Sequence, residues 1–291
     1  MKGTKTLGKR VAVITDTNSG FSQQDEKDGF YILPMPFIIG ENEYIEGVTL
    51  DKELFYKFME EGSRISTVQS PVAEILKLYN KVLKEYDEIL HVPMSSSLSD
   101  TYQTCVNIAY HLGEGKVFVA DSKKISVPLK RNLQDVLRFV DDGLSAEEIK
   151  NILEKDNDSM TAYVALETLK YLKTGGRGSS ALTAIGSLLK IKPVVFLGPG
   201  KIEPAKNLRT MKQAKDWIIN KTKEIIKDNP KNYYVDIAHT NALDEAMMLK
   251  EELIEKLNWN DEILIEDLTL SIASHIGPGA LAVAIAKKLK K

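Results

Sequence analysis

Cysteine is almost absent. Cys105 is the only one in 291 residues, so no internal disulfide forms and no thiolate metal site is on offer. A reducing, cytoplasmic location is the default expectation. Histidine is also scarce, with four in all. No His/Cys/Asp/Glu grouping has metal-ligand spacing, so no metal is expected. No run approaches the ~20 apolar residues that cross a bilayer, and "MKGTKTLGKRVAVITD" lacks the apolar core of a secretory signal. Charge is balanced as well: 39 basic and 41 acidic residues, interspersed, leave a net −2. That excludes the basic footprint of a nucleic-acid binder and a polybasic membrane patch.

What is present is an ordinary globular composition, 43% hydrophobic and 27% charged. The chain is long for one core, which predicts two domains or one large α/β unit. Short β-branched runs alternate with helical patterns, the signature of parallel strands with crossover helices. "RVAVITDT", "DEILHVPM" and "KVFVAD" read as buried strands. "YILPMPFIIG" reads as one edge or irregular strand, because Pro34 and Pro36 remove ladder donors. "SPVAEILKLYNKVLKEY" reads as a helix with Ser70 as N-cap and Pro71 in its first turn. The polar stretch Asp156–Ser159 is the best boundary, giving α/β domains over 1–158 and 159–291. In the second half "TAYVALE", "YYVDIAHT" and "DEILIEDLTL" read as strands. "TLKYLKTGG", "ALTAIGSLLKI" and "ALAVAIAKKLKK" read as helices, and "LGPG" as a hairpin turn. The expected fold is two α/β domains with mainly parallel sheets and a crevice between them.

In open α/β sheets ligands sit beyond the carboxyl ends of strands. Four polar sets fall there: Asp16 with Thr17, Ser95 to Ser99, Asp121 with Ser122, and Ser274 with His275. The stretch "SSSLSDTYQT" also opens a helix, whose free N–H groups suit an anion. Hydroxyls there would hold a carboxylate or phosphate; simple capping by Ser99 is the competing reading, and both stay open. Thr67 and Ser66 stand before another helix start, where capping alone suffices. "LKTGGRGSS" lacks the Gly-Lys-Ser/Thr ending of a phosphate loop. His91 and His111 read as structural, His239 as undecided, and His275, after an expected strand, as functional. Ser95 or Ser96 with His275 and Asp16 or Asp121 has the residue types of a hydrolase triad, but no Gly-x-Ser-x-Gly elbow surrounds either serine.

Eight pieces in order, "VITDTNSG", "ISTVQSP", "SSSLSDTYQT", "VADSKKIS", "LKTGGRGSS", "LLKIKPV", "GKIEPAKNLRT" and "SHIGPGAL", make the chain resemble the DegV family. That family includes the fatty-acid-binding subunit of bacterial fatty acid kinase. The resemblance implies a buried long-chain fatty acid as ligand, no cofactor, and a separate ATP-binding kinase subunit as partner. It also implies only transient membrane contact. The chain itself would be a lipid-binding substrate subunit and not an enzyme, carrying the acyl phosphate. The resemblance further implies that Thr67, Ser95 or Ser96 (Ser96 favoured) and His275 meet the carboxylate, and that Arg209 serves the kinase encounter. Departures include Glu46, where relatives often carry Asp, and Gly178 in "GGRGS"; both bear on partner recognition.

Overall fold

The computed structural model describes residues 9–172 and 191–291. Its first sheet has the order β2-β1-β6-β7, with β1 at Val11–Asp16, β2 at Phe30–Leu33, β6 at Glu88–His91 and β7 at Val117–Val119. All three pairings are parallel. Alternation along β1 sends Ala12 and Ile14 to one face and Val11 and Val13 to the other. The first face is covered by α2 (Val72–Val82) and α3 (Thr101–Leu112) through Ile75, Tyr79, Cys105 and Ile108. The second is covered by α4 (Ser126–Asp141) and α5 (Ala146–Lys155) through Leu129, Leu133, Val136, Ile149 and Leu153.

A small antiparallel sheet, β4-β3-β5, joins β3 (Pro36–Ile39), β4 (Asn42–Ile45) and β5 (Ile65–Thr67). The stretch "YILPMPFIIG" is therefore two strands in two sheets, not one. The break falls at Pro34, which supplies no N–H to carry the first ladder on. Helix α1 (Lys52–Glu60), capped by Asp51 accepting the Leu54 N–H at 2.7 Å, packs Phe55 against Phe37.

The second large sheet runs β10-β9-β8-β13-β11-β12. Its strands are β8 (Met160–Ala165), β9 (Lys192–Gly198), β10 (Lys201–Leu208), β11 (Tyr233–His239), β12 (Ile265–Asp267) and β13 (Leu281–Lys287). Only the β11–β12 pairing is parallel; the other four are antiparallel. The expectation of mainly parallel sheets thus holds for the first sheet and fails for this one. The main cause is β13. "ALAVAIAKKLKK" suggests a helix by its alanines, yet Leu281–Ala286 is a central strand buried along its whole length. Tertiary burial on both faces overrides local propensity there. Likewise "DEILIEDLTL" forms only the three-residue β12. A short helix, α8 (Leu270–Ile276), follows, so His275 sits in the last turn of a helix and not after a strand.

Helices α6 (Met211–Ile226) and α7 (Leu243–Leu257) cover one face of this sheet with Ala214, Ile218, Leu249 and Leu253. The other face meets α4 through Val127. Arg131 of α4 reaches across to Asp236 of β11 with two hydrogen bonds, 2.9 and 2.8 Å, both side chains buried. The boundary expected after Asp158 falls between α5 and β8, yet Leu289, from the far end of the chain, packs in the core of the first sheet. Ser70 is not the cap of α2: Pro71 takes that position, and the Ser70 hydroxyl donates to the Pro34 carbonyl at 3.1 Å. The stretch Thr168–Leu172 is not helical. The rest of "TLKYLKTGG", the "GGRGSS" turn and most of "ALTAIGSLLKI" lie outside the described residues.

Candidate functional site

A cavity of 370 Å³ opens where the first sheet's loops meet the free face of the second sheet. That is within the ~300–1,000 Å³ of small-molecule sites. Its floor follows from strand alternation. Tyr163, Ala165 and Val194 point to α6 and α7, so Val164, Leu166, Val195 and Leu197 point the other way, with Ile202 of β10 beside them. The result is a purely aliphatic surface. The polar wall comes from three other elements: Thr67 at the end of β5 with Gln69 beyond it, Ser99 and Asp100 at the start of α3, and Ser271 and His275 on α8. Gln69 is tied to α3 by the Thr104 hydroxyl at 3.4 Å.

Positions 271, 272, 275 and 276 line the cavity because they share one face of α8. The helix stops at Gly277, whose φ of +77° suits glycine. A Cβ there would lie 2.1 Å from the Tyr171 ring, so no other residue fits. The turn that follows is held by Thr240, whose hydroxyl donates to the Gly277 carbonyl at 2.7 Å and accepts the Ala280 N–H at 2.9 Å.

The expected serines sit behind this wall and at its rim. Ser95 is buried; its N–H donates to the Lys124 carbonyl at 2.9 Å, and its hydroxyl pairs with Ser97 at 2.7 Å. Ser96 is exposed, and both its N–H and its hydroxyl engage the Asp121 carboxylate. Among the described residues, their loop lines the cavity through Met94, Leu98 and Ser99 and not through Ser95 or Ser96. Thr67 and His275 both line it. Arg209 does not: it is exposed just beyond β10, and its N–H donates to the Gln213 side chain at 3.1 Å.

Asp16 is fully buried at the end of β1, where its carboxylate accepts the N–H groups of Met94 and Asn18, each at 2.9 Å. Burial pushes its pKa up, and those two donors pull it back down. Glu46 turns its carboxylate inward onto Thr17 and the Leu270 N–H, and burial raises its pKa too. The half-buried Glu46 thus has both carboxylate oxygens engaged within the chain. His91 is structural as expected: it bonds Tyr79 at 2.6 Å, and desolvation lowers its pKa to about 3. His239 is buried, accepts the Ala242 N–H at 3.3 Å, and has its pKa lowered by burial. Gln69, Ser271 and Asn18 escape the sequence reading. Ser271 is hidden by the strand expected in place of α8, while Asn18 stands two residues from Asp16, where a strand end already marks the spot. Among the described residues no His/Cys/Asp/Glu group could hold a metal, and no helix is long and apolar enough to cross a membrane.

Comparison with known proteins agrees with this architecture. Residues 10–288 match the family described as "Uncharacterised protein, DegV family". A DegV domain-containing protein of Staphylococcus aureus (strain N315) is 29% identical, the match covering 95% of this chain and 98% of that one. A fatty-acid-binding DegV family protein from Streptococcus agalactiae has a similar solved structure, TM-score 0.86 at 27% identity, covering 96% of this chain and 99% of that one. A structure described as DegV, a fatty acid binding protein from Bacillus subtilis, has TM-score 0.84 at 27% identity, covering 96% of this chain and 100% of that one.

Proposed function

Because the chain belongs to the DegV family, we propose that it binds a long-chain fatty acid, presents it to a separate ATP-dependent kinase and carries the acyl phosphate. The observation that carries this reading is the cavity: an aliphatic floor facing a polar wall in which Thr67, Gln69, Ser99, Ser271 and His275 stand beside the exposed Asp100, suited to one long apolar tail with one polar head. Burying an ionised carboxylate without partners costs several kcal/mol or more. Hydroxyls, an imidazole and backbone N–H groups offset that cost without locking the carboxylate into an ion pair. It stays nucleophilic toward a phosphoryl donor.

Thr67 and His275 are the head-group ligands in this reading. Neither serine lines the cavity: the Ser95 hydroxyl pairs with Ser97 and the Ser96 hydroxyl with Asp121, so Ser95, the buried one, serves as a ligand in this reading only by turning from Ser97 to the head group. Arg209 stands away from the cavity with its guanidinium exposed, which suits a docking role. Its planar fork holds a phosphate or partner carboxylate with two parallel bonds. The hydrolase alternative is less well supported. The Ser95 and Ser96 hydroxyls turn to Ser97 and Asp121, and the Asp16 oxygens turn to backbone N–H groups, where a triad needs them on a histidine.

The test is organic extraction of purified protein followed by mass spectrometry, with uptake of added oleate or palmitate measured on the stripped protein. Near-stoichiometric C14–C18 acid is the expected result. A lipid-free preparation that also takes up neither acid refutes the reading.

A further inference from the structure

Three consecutive side chains, Asp16 at the end of β1 and Thr17 and Asn18 just after it, reach three separate walls of the cavity. Asp16 accepts the N–H of Met94 at 2.9 Å, on the loop after β6. Thr17 accepts the N–H of Met35 at 3.3 Å and donates its hydroxyl to Glu46 at 2.5 Å. The other oxygen of Glu46 accepts the N–H of Leu270, 3.1 Å away, at the first residue of α8. Asn18 accepts the hydroxyl of Ser271, one residue further along the same helix. Met35, Met94 and Ser271 all line the cavity. Asp16, Thr17 and Asn18 are themselves buried and do not.

Helix α8 needs such outside support. It has seven residues, and its N-cap, Thr269, makes no side-chain capping bond. A helix this short does not hold itself together, and its first N–H groups have no partner within the helix. Apolar packing of Leu270 and Ala273 against the core around Phe37 and Phe55 seats one side. Packing is non-directional, though, and leaves rotation about the helix axis and sliding along it weakly fixed. Two directional bonds at adjacent positions, Leu270 and Ser271, remove that freedom. His275 lies one turn beyond Ser271, so these two bonds at the helix start, with Thr240 at its end, fix the segment that carries it over the cavity.

We propose that Glu46 and Asn18 are positioning residues for the lipid site: they fix α8, and with it His275, against the end of β1. The consequence for the ligand rests on the fatty-acid reading above; the fixing of the helix does not.

The experiment has two arms on the same preparations of full-length protein: hydrogen exchange of the Leu270–Ile276 amides without lipid, and oleate affinity. Glu46→Ala and Asn18→Ala should speed exchange in α8 while leaving β1 and β6 protected, and weaken oleate binding roughly tenfold. Glu46→Gln should restore both, because its carbonyl still accepts from Leu270 while its amide donates to the Thr17 hydroxyl. A residue that acted only through general stability would not give that recovery. Thr17→Val, near-isosteric and without the bridging hydroxyl, serves if an Ala variant fails to fold. Wild-type exchange in α8 together with wild-type oleate affinity in Glu46→Ala overturns the proposal. A wild-type protein that binds no oleate refutes the lipid reading instead, and the exchange arm still decides whether Glu46 and Asn18 hold the helix.

Discussion

Asp236→Ala should be among the most damaging single substitutions in the protein. Arg131 and Asp236 are both buried and share two hydrogen bonds at 2.9 and 2.8 Å. The same carboxylate accepts the N–H of Leu264 at 2.8 Å. Removing it leaves a guanidinium with little access to water, hydrogen-bonded to Glu262 at 3.1 Å and Gln134 at 3.4 Å and lying over the Tyr234 ring. Breaking one side of such a pair costs about 3–5 kcal/mol. Total stability for a folded protein is typically ~5–15 kcal/mol, so this is a large share. With a urea slope of about 3 kcal/mol per molar, the midpoint should fall by roughly 1–1.7 M. The double variant Arg131→Met/Asp236→Leu removes both charges together. It should recover most of the loss, short of about 1–3 kcal/mol for the stranded Leu264 N–H. Urea unfolding followed by circular dichroism and by tryptophan fluorescence reads all three proteins. If Asp236→Ala unfolds within about 1 kcal/mol of wild type, or the double variant is no better than the single, the pair does not hold α4 to the second sheet as argued.

Thr67→Ala should weaken oleate binding by about 1.5–3 kcal/mol, roughly 10- to 150-fold, with melting temperature little changed, and Ser95→Ala, whose hydroxyl must first leave Ser97, should weaken it less. Ser96→Ala should bind like wild type, and equal losses at Ser95 and Ser96 would undo the choice between them. Arg209→Ala should keep its lipid and its melting temperature yet lose most acyl-phosphate formation with a cognate kinase and ATP, and Arg209→Lys should recover little. Full turnover in Arg209→Ala would remove that residue from the encounter. His91 stays neutral in the folded protein down to about pH 3, while in the unfolded chain it protonates near the ordinary imidazole value of about 6.5. Between those values the unfolded state binds the extra proton, so stability should fall as pH falls through that window. His91→Phe should flatten the urea midpoint between pH 7 and 5 by about one proton's worth of slope. An unchanged slope would mean that His91 is already charged when folded.

Much of the first sheet was legible in the sequence because its strands are bounded by polar turns and its helices have clear period and caps. The second sheet was less so. β13 is an alanine-rich run whose strand character depends on β8 and β11 flanking it, partners that no local window contains. Misreading α8 as the tail of a strand followed from the same ambiguity, since a short apolar segment has no period long enough to tell the two apart. Thr67 and His275 were nevertheless placed at the cavity, because the motifs around them survive an error in the element that holds them. Asn18, Gln69 and Ser271 were not, because each matters through what lies opposite it. Ser95 and Ser96 are adjacent and alike in sequence, and only the folded chain separates them, by burial and by their partners Ser97 and Asp121.

The position of β13 has a consequence for how the protein comes to be made. It lies between β8 and β11, so without it the six-stranded sheet is two unjoined pieces. It also leaves the ribosome after both neighbours, and Leu289, just beyond it, completes the first core while its N–H bonds Asp135 at 3.2 Å. Domains otherwise fold in order as they emerge. Here the first sheet can form early, but the sheet that carries the cavity floor waits for a strand translated after both of its neighbours. A nascent chain stalled before Leu281 would expose β8 and β11 as open edges, the surfaces most prone to pair with other chains.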